Sequence, residues 1–186
     1  MLQYRAIPNY ITVLRVILVA PIAYCLVSQQ YKAALLLVFI AGLSDGLDGF
    51  LARRFEWTSR FGAIVDPLAD KLLLVMSYIV LAVTGQIPIW LAIVVLGRDL
   101  VIVLGAIAYR AFAGPYRYRP TIWGKLSTAS QILFVLLVLL HLTYLPLSNW
   151  FMQLSIWCVA AAALASGLHY AVTWGIKFKR TRSKLN

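Results

Sequence analysis

The sequence predicts an all-α integral membrane protein, a bundle of six transmembrane helices with both termini in the cytoplasm. The prediction rests on composition, on the spacing of apolar runs and on the distribution of basic residues. The 186-residue chain is 62% hydrophobic and only 12% charged. Soluble domains are roughly 45–50% apolar and about 25% charged, so this composition excludes an ordinary soluble domain.

Six apolar runs approach the length of about 20 residues that one helix needs to cross a bilayer. They cover approximately residues 9–28, 32–51, 62–84, 88–111, 123–145 and 150–175. The breaks between them carry turn-forming or charged residues, as from Gly85 to Pro88. No linker or internal repeat is visible, so residues 1–186 are predicted to form one membrane domain. The first run is not followed by a signal-peptide cleavage site, and we expect it to remain in the mature protein.

The basic residues orient the chain, because Lys and Arg accumulate on the cytoplasmic side of a membrane. They lie before the first run, after the second and fourth runs and at the chain end, whereas the opposite breaks hold only Lys32. The basic residues on the predicted cytoplasmic side are Arg5, Arg53, Arg54, Arg60, Arg110, Arg117, Arg119, Lys177, Lys179, Arg180, Arg182 and Lys184. The net charge of +11 is interpreted as attraction to anionic lipid. Nucleic acid is not expected as a partner, because the aromatic residues lie in apolar runs and not among the basic ones.

Four of the six acidic residues, Asp45, Asp48, Asp66 and Asp70, lie close together in sequence at the predicted turn between runs two and three. Spacings of three and four residues place each pair on one helical face. Several carboxylates near a bilayer repel one another unless cations lie between them. Hard oxygen ligands suit Mg²⁺ or Mn²⁺. The sequence therefore predicts a metal site, with room for two ions between the helices.

Small and basic residues surround these acids. Gly49, Ala52 and Gly62 would let a nucleotide diphosphate approach the backbone, and Arg53 is placed to meet its phosphate oxygens. Two alternatives stay open from the residues alone. The small residues could be helix–helix contacts of a membrane bundle, and the acids could form a structural salt-bridge network with the arginines.

The stretch from Asp45 to Asp70 fits D-x₂-D-G-x₂-A-R-x₈-G-x₃-D-x₃-D at every fixed position. It resembles the signature of the CDP-alcohol phosphotransferases, membrane enzymes of phospholipid synthesis. The resemblance implies six transmembrane helices over the whole chain, an active site at the cytoplasmic face of the inner cell membrane, and a homodimer. It also implies transfer of the phosphatidyl group of CDP-diacylglycerol to an alcohol, with release of CMP.

The same resemblance assigns roles to residues. Asp45, Asp48 and Asp66 would be metal ligands, and Asp70 would complete the metal site and serve as general base. Gly49 and Ala52 would leave room for the cytidine nucleotide. The opening Pro8-Asn9-x₂-Thr12-x₂-Arg15 also resembles the first-helix pattern of the family, in which a polar face lines the nucleotide site. The candidate nucleotide and diphosphate residues are Asn9, Thr12, Gly49, Ala52, Arg53 and Gly62.

Basic residues farther along the chain are candidates for binding the acceptor alcohol. Arg98 and Asp99 lie inside the fourth run, where charges are costly. Arg98 could hold an acceptor phosphate, or the pair could neutralise itself inside the bundle. Arg119 and Lys125 flank the start of the fifth run and are the other candidate acceptor residues.

The segment from Arg119 to Gln131 is similar to that of CMP-forming cardiolipin synthases. This similarity favours phosphatidylglycerol as acceptor, which would give cardiolipin. Glycerol 3-phosphate, the acceptor of phosphatidylglycerophosphate synthases, is the alternative. Two other classes also place aspartates in a helical membrane bundle: an intramembrane prenyltransferase, and a non-enzymatic divalent-cation channel or carrier. Release of CMP from CDP-diacylglycerol separates the proposed enzyme from both.

Overall fold

The computed structural model describes residues 7–55, 62–113 and 121–182. Within these ranges the chain forms six α-helices and no strand, which confirms the all-α prediction. Their bounds are α1 Ile7–Val27, α2 Tyr31–Phe55, α3 Gly62–Val83, α4 Ile89–Ala113, α5 Ile122–Thr143 and α6 Asn149–Arg182. Each helix corresponds to one predicted run. The largest differences are at the ends of α2 and α6, which continue as helix beyond their apolar stretches into basic sequence.

Three of the helices are long and apolar enough to cross a membrane, judged over the described residues. Their apolar stretches are Ile89–Ala108 in α4, Ile122–Thr143 in α5 and Asn149–Gly175 in α6. The other helices carry the shorter apolar stretches Leu14–Val27, Tyr31–Ser44 and Lys71–Val83. Large apolar side chains such as Ile17, Ile93 and Leu168 are more than half exposed. Such a surface is typical of helices that face lipid.

One compact unit contains residues 1–87 and 135–146. In this unit α1 packs against both α2 and α3. Leu26 of α1, Ala34 of α2, and Tyr78 and Leu81 of α3 are almost completely buried. These small and large side chains fill the interior together, so α1 is the central element that holds the two helices of the acidic motif.

Both α1 and α3 end in a left-handed residue that closes the last helical turn. After α3, Gly85 has a φ of 74°, and the Gln86 N–H donates to the Leu81 carbonyl at 2.8 Å. After α1, Gln29 has a φ of 56°, and the Gln30 N–H donates to the Cys25 carbonyl at 2.8 Å. These bonds satisfy carbonyls that a helix end leaves without an intrahelical donor.

The left-handed turn at Gly85 predicts the effect of a substitution. A Cβ at a positive φ meets the neighbouring carbonyl, so Gly85→Ala should lower the free energy of unfolding by about 1–2 kcal/mol. Gly42→Ala is the matched control, because Gly42 lies inside α2 and an added Cβ has no atom within 4 Å. That control should be neutral or raise stability by up to about 1 kcal/mol. Unfolding of both variants in detergent, followed by circular dichroism, measures the difference.

The other compact unit contains residues 88–134 and 147–186. In this unit α4 packs against α6, and two contacts show that these helices run in the same direction. Trp90 lies 5.1 Å from Trp157 between ring centroids, and farther along both helices Gly105 lies beside Trp174. A Cβ on Gly105 would be 2.8 Å from Cδ1 of Trp174, so this crossing needs a glycine.

Candidate active site

The acidic motif is divided between two helices. Asp45 and Asp48 lie in the second half of α2, together with Gly49, Ala52 and Arg53. Gly62 begins α3, and Asp66 and Asp70 lie in its first half. Only residues 56–61 separate the two helices in sequence. The helical backbone fixes the register, so the aspartates of each pair share a helix face.

The side chains of residues 45–70 lie outside the part of the chain that the structure describes. Among the side chains that are described, no group of three or more His, Cys, Asp or Glu could hold a metal ion. The aspartate motif remains the candidate metal site that the sequence predicts. Its donor chemistry fits, because four carboxylates on neighbouring helical segments supply the hard oxygen ligands that Mg²⁺ and Mn²⁺ prefer.

The polar start of α1 belongs to the same unit as the motif. Asn9 and Thr12 lie on α1, and their side chains are outside the described set. Arg15 continues the same three-residue spacing and is only 2% exposed. Because α1 packs against both α2 and α3, the buried Arg15 side chain lies in the interior of this unit and not on its lipid-facing surface.

Arg98 lies at the centre of a buried polar cluster in the other unit. Its Nη1 donates to Oδ1 of Asp99 at 2.6 Å, and the side chains are 4% and 11% exposed. Its Nε and Nη2 donate to Oγ of Ser166 in α6 at 3.1 and 2.8 Å. Nη2 also donates to the Gly124 carbonyl in α5 at 3.2 Å. The guanidinium thus joins α4, α5 and α6, as expected if the Arg98–Asp99 pair is neutralised inside the bundle.

The first turn of α5 is held by a second contact from α6. The hydroxyl of Tyr170 accepts a hydrogen bond from the Thr121 N–H at 3.1 Å. Oγ1 of Thr121 in turn accepts from the Gly124 N–H at 3.2 Å and caps the helix. A Cβ on Gly124 would be 2.7 Å from the Tyr170 hydroxyl, so the two helices approach closely here. Lys125 follows directly and its side chain is exposed; Arg119 lies outside the described residues.

Comparison with known proteins identifies the family. The profile of the CDP-alcohol phosphatidyltransferases matches residues 5–165. The chain belongs to this family. The match includes the whole acidic motif and five of the helices in full, which confirms the resemblance drawn from the motif. Family membership and three long apolar helices together make the chain a membrane protein.

The relatives of this chain are named either as cardiolipin synthases or as glycerol-3-phosphate phosphatidyltransferases. The chain is 31% identical over 183 residues to "Cardiolipin synthase (CMP-forming) / mitochondrial hydrolase fusion protein" of Schizosaccharomyces pombe, covering 90% of the chain and 31% of that protein. It is 28% identical over 187 residues to the human CMP-forming cardiolipin synthase, covering 92% of the chain and 62% of that protein. It is 38% identical over 137 residues to the CDP-diacylglycerol–glycerol-3-phosphate 3-phosphatidyltransferase of Haemophilus influenzae, covering 68% and 71%. The chain thus spans less than two thirds of the cardiolipin synthases it matches here.

The buried polar contacts of α6 involve two residues, Ser166 and Tyr170, that sequence reasoning missed. Ser166 is fully buried and Tyr170 is 3% exposed, both on α6. The available signal was a serine followed four residues later by a tyrosine inside an apolar helix. Polar groups within a membrane span usually have a partner in the bundle. Sequence spacing alone does not say that this partner is Arg98.

Proposed function

We propose that the protein transfers the phosphatidyl group of CDP-diacylglycerol to an alcohol and releases CMP. In this reaction the acceptor hydroxyl oxygen bonds to the lipid-linked phosphorus, the bond from that phosphorus to the bridging oxygen breaks, and CMP leaves with that oxygen. The observation that carries the proposal is the eight-position motif on the helical segments of α2 and α3, in a chain that belongs to the CDP-alcohol phosphatidyltransferase family.

The aspartates of the motif are proposed to hold two divalent cations, Mg²⁺ or Mn²⁺. Asp45, Asp48 and Asp66 would be ligands, and Asp70 would complete the site. When bound, the cations would neutralise the diphosphate and stabilise charge on the leaving phosphate. The proposal is supported by the helical register of the two pairs and by the hard-oxygen chemistry of their carboxylates.

The remaining motif residues bind and orient the nucleotide in this proposal. Gly49, Ala52 and Gly62 leave space for the cytidine and diphosphate, and Arg53 donates to phosphate oxygens. Asn9 and Thr12 would contact the nucleotide from α1, which packs against both motif helices. Asp70 would accept the proton of the acceptor hydroxyl as general base.

The acceptor is proposed to be phosphatidylglycerol, which would give cardiolipin as product. Similarity to relatives named cardiolipin synthase over about nine tenths of the chain supports this choice. Glycerol 3-phosphate is the alternative, supported by the relatives named for that acceptor. Both acceptors carry a phosphate, for which Arg119 and Lys125 are the candidate partners. The bonds of Arg98 to protein oxygens favour an indirect role for that residue.

The membrane arrangement is also part of the proposal. All six helices would cross the inner cell membrane, with both termini and the active site on the cytoplasmic side. The basic residues after runs two and four and at the end of the chain support this orientation. The family resemblance supports a homodimer. Light scattering of the purified protein in detergent tests the dimer, and accessibility of single cysteines introduced at each end tests the orientation.

The proposed reaction is tested by following CMP release from CDP-diacylglycerol in detergent micelles. Phosphatidylglycerol and glycerol 3-phosphate are supplied in parallel, and mass spectrometry identifies the lipid product. We expect CMP release that needs an acceptor, stops on addition of a chelator and returns with Mg²⁺ or Mn²⁺. Cardiolipin as the preferred product supports phosphatidylglycerol as acceptor. Absence of CMP release with either acceptor would contradict the proposed function.

A further inference from the structure

Two hydroxyl groups on one face of α6 meet the beginning of α5. Ser166 and Tyr170 are one helical turn apart, and both are almost completely buried. The Tyr170 hydroxyl accepts directly from the Thr121 backbone N–H. The Ser166 hydroxyl acts through Arg98, which donates to it twice and also donates to the Gly124 carbonyl. The two sets of hydrogen bonds therefore reach Thr121 and Gly124, three residues apart at the start of α5.

This first turn carries a candidate acceptor residue. Lys125 follows Gly124, and its own N–H donates to the Thr121 carbonyl at 3.1 Å. Thr121 is consequently bonded to α6, to Gly124 and to Lys125. Any displacement of Thr121 or Gly124 must move the backbone that bears Lys125, because a helical turn moves as a unit. The Lys125 side chain is exposed. The position of its ammonium group therefore depends on the backbone that carries the side chain.

We infer that Ser166 and Tyr170 are positioning residues for the acceptor site, which they affect by fixing the first turn of α5. The inference rests on the proposed function, since it assumes that Lys125 binds the acceptor phosphate. The ligand chemistry is a phosphoglycerol group, whether it belongs to a lipid headgroup or to free glycerol 3-phosphate. Neither hydroxyl contacts the acceptor in this arrangement. Their effect falls on acceptor binding and leaves binding of CDP-diacylglycerol at the aspartate motif unchanged.

The inference is tested with Ser166→Ala and Tyr170→Phe in the full-length protein. Each removes one hydroxyl and keeps most of the side chain's packing. Tyr170→Phe removes the bond from the Thr121 N–H and Ser166→Ala removes the two bonds from Arg98; the loss of even one buried hydrogen bond corresponds to roughly a tenfold change in an equilibrium constant. We therefore expect each variant to raise the KM for the acceptor by about tenfold, with kcat within about threefold and the KM for CDP-diacylglycerol unchanged. Phosphatidylglycerol in mixed micelles and glycerol 3-phosphate in solution are measured in separate arms.

Two matched substitutions serve as controls. Ser155→Ala removes a hydroxyl of α6 that donates only within its own helix in the described structure, to the Phe151 carbonyl at 2.9 Å. Tyr24→Phe removes a hydroxyl from a side chain that is 66% exposed. Both controls should keep the acceptor KM of the unsubstituted protein. Hydrogen exchange at the start of α5 supplies a readout that needs no turnover, and it should be faster in Ser166→Ala and Tyr170→Phe only.

The outcomes separate the inference from the proposed function. An active protein whose acceptor KM is unchanged in both folded variants would overturn the inference alone. Equal increases in the KM of acceptor and donor would also overturn it, because they would indicate a general loss of structure. Unchanged hydrogen exchange at the start of α5 would do the same. If the unsubstituted protein releases no CMP with either acceptor, the proposed function fails and takes the inference with it.

Discussion

Asp48→Asn is expected to lower CMP release from CDP-diacylglycerol by about a thousandfold or more. The substitution keeps the size of the side chain and removes the negative charge that the proposed metal site requires. Loss of cations that stabilise the leaving phosphate removes several kcal/mol of transition-state stabilisation, and each 1.36 kcal/mol is a factor of ten in rate. The measurements are CMP release at saturating Mg²⁺ and metal content of the purified variant by mass spectrometry.

Asp70→Asn should have an equally large effect on turnover but a smaller effect on metal content. If Asp70 is the general base, it must be the aspartate least tightly bound to metal, because a carboxylate bound to two cations is a poor proton acceptor. We therefore expect Asp70→Asn to be inactive and to keep most of its metal, whereas Asp48→Asn loses both. Glu56→Gln is the control for these variants, since Glu56 lies between the two pairs and at no fixed position of the motif.

These two variants can contradict the assignment in different ways. Substantial turnover in Asp48→Asn would remove the metal site from the proposal. Loss of metal by Asp70→Asn as complete as that of Asp48→Asn would show that Asp70 is a full ligand, and the base would have to be sought elsewhere. Inactivity of Glu56→Gln would show that the assay responds to any loss of acidic charge in this region.

The sequence was sufficient to predict the helices, because length and apolar content decide where a membrane helix lies. It was less informative about where α2 ends. The predicted run ends at residue 51, yet the helix continues to Phe55. The reason is physical: Ala52, Arg53 and Arg54 have high helix propensity, although the two arginines are not apolar. In addition, no Pro interrupts the sequence between Tyr31 and Phe55. The part of the motif in α2 therefore lies on helix, and the three-residue spacing of Asp45 and Asp48 places them on one helix face.

The buried polar cluster around Arg98 depends on tertiary contacts that sequence spacing does not reveal. The aspartate motif is local, with each pair separated by a single helical turn, so its geometry follows from the sequence. Arg98 and Ser166 are 68 residues apart in sequence and meet because α4 and α6 pack in parallel. Sequence reasoning left two alternatives for Arg98, and it gave no indication of the hydrogen bonds to Ser166 and Gly124. A prediction of Ser166 would have required the register of α4 against α6.

Removal of the Arg98 guanidinium should strongly destabilise the unit that contains α4 and α6. Arg98→Met keeps the apolar stem and removes every hydrogen bond to Ser166 and Gly124. It also leaves the Asp99 carboxylate, which is 11% exposed, without the cation at 2.6 Å. Breaking a buried ion pair from one side costs about 3–5 kcal/mol. The free energy of unfolding in detergent measures the effect, and Lys32→Met, at an exposed lysine, is the control with an expected change below about 1 kcal/mol.

The double variant Arg98→Met/Asp99→Leu separates charge burial from positioning. Removing both charges also removes the carboxylate that lost its ion pair with Arg98, so most of the stability lost in Arg98→Met should return. The start of α5 would still lack its bond from Arg98 to the Gly124 carbonyl. We therefore expect a stable protein whose acceptor KM stays raised by about tenfold, because one hydrogen bond to the first turn of α5 is gone. A double variant with normal stability and a normal acceptor KM would show that Arg98 serves only to neutralise Asp99. A double variant as unstable as Arg98→Met would instead show that the bonds to Ser166 and Gly124 outweigh the ion pair in holding α4, α5 and α6 together.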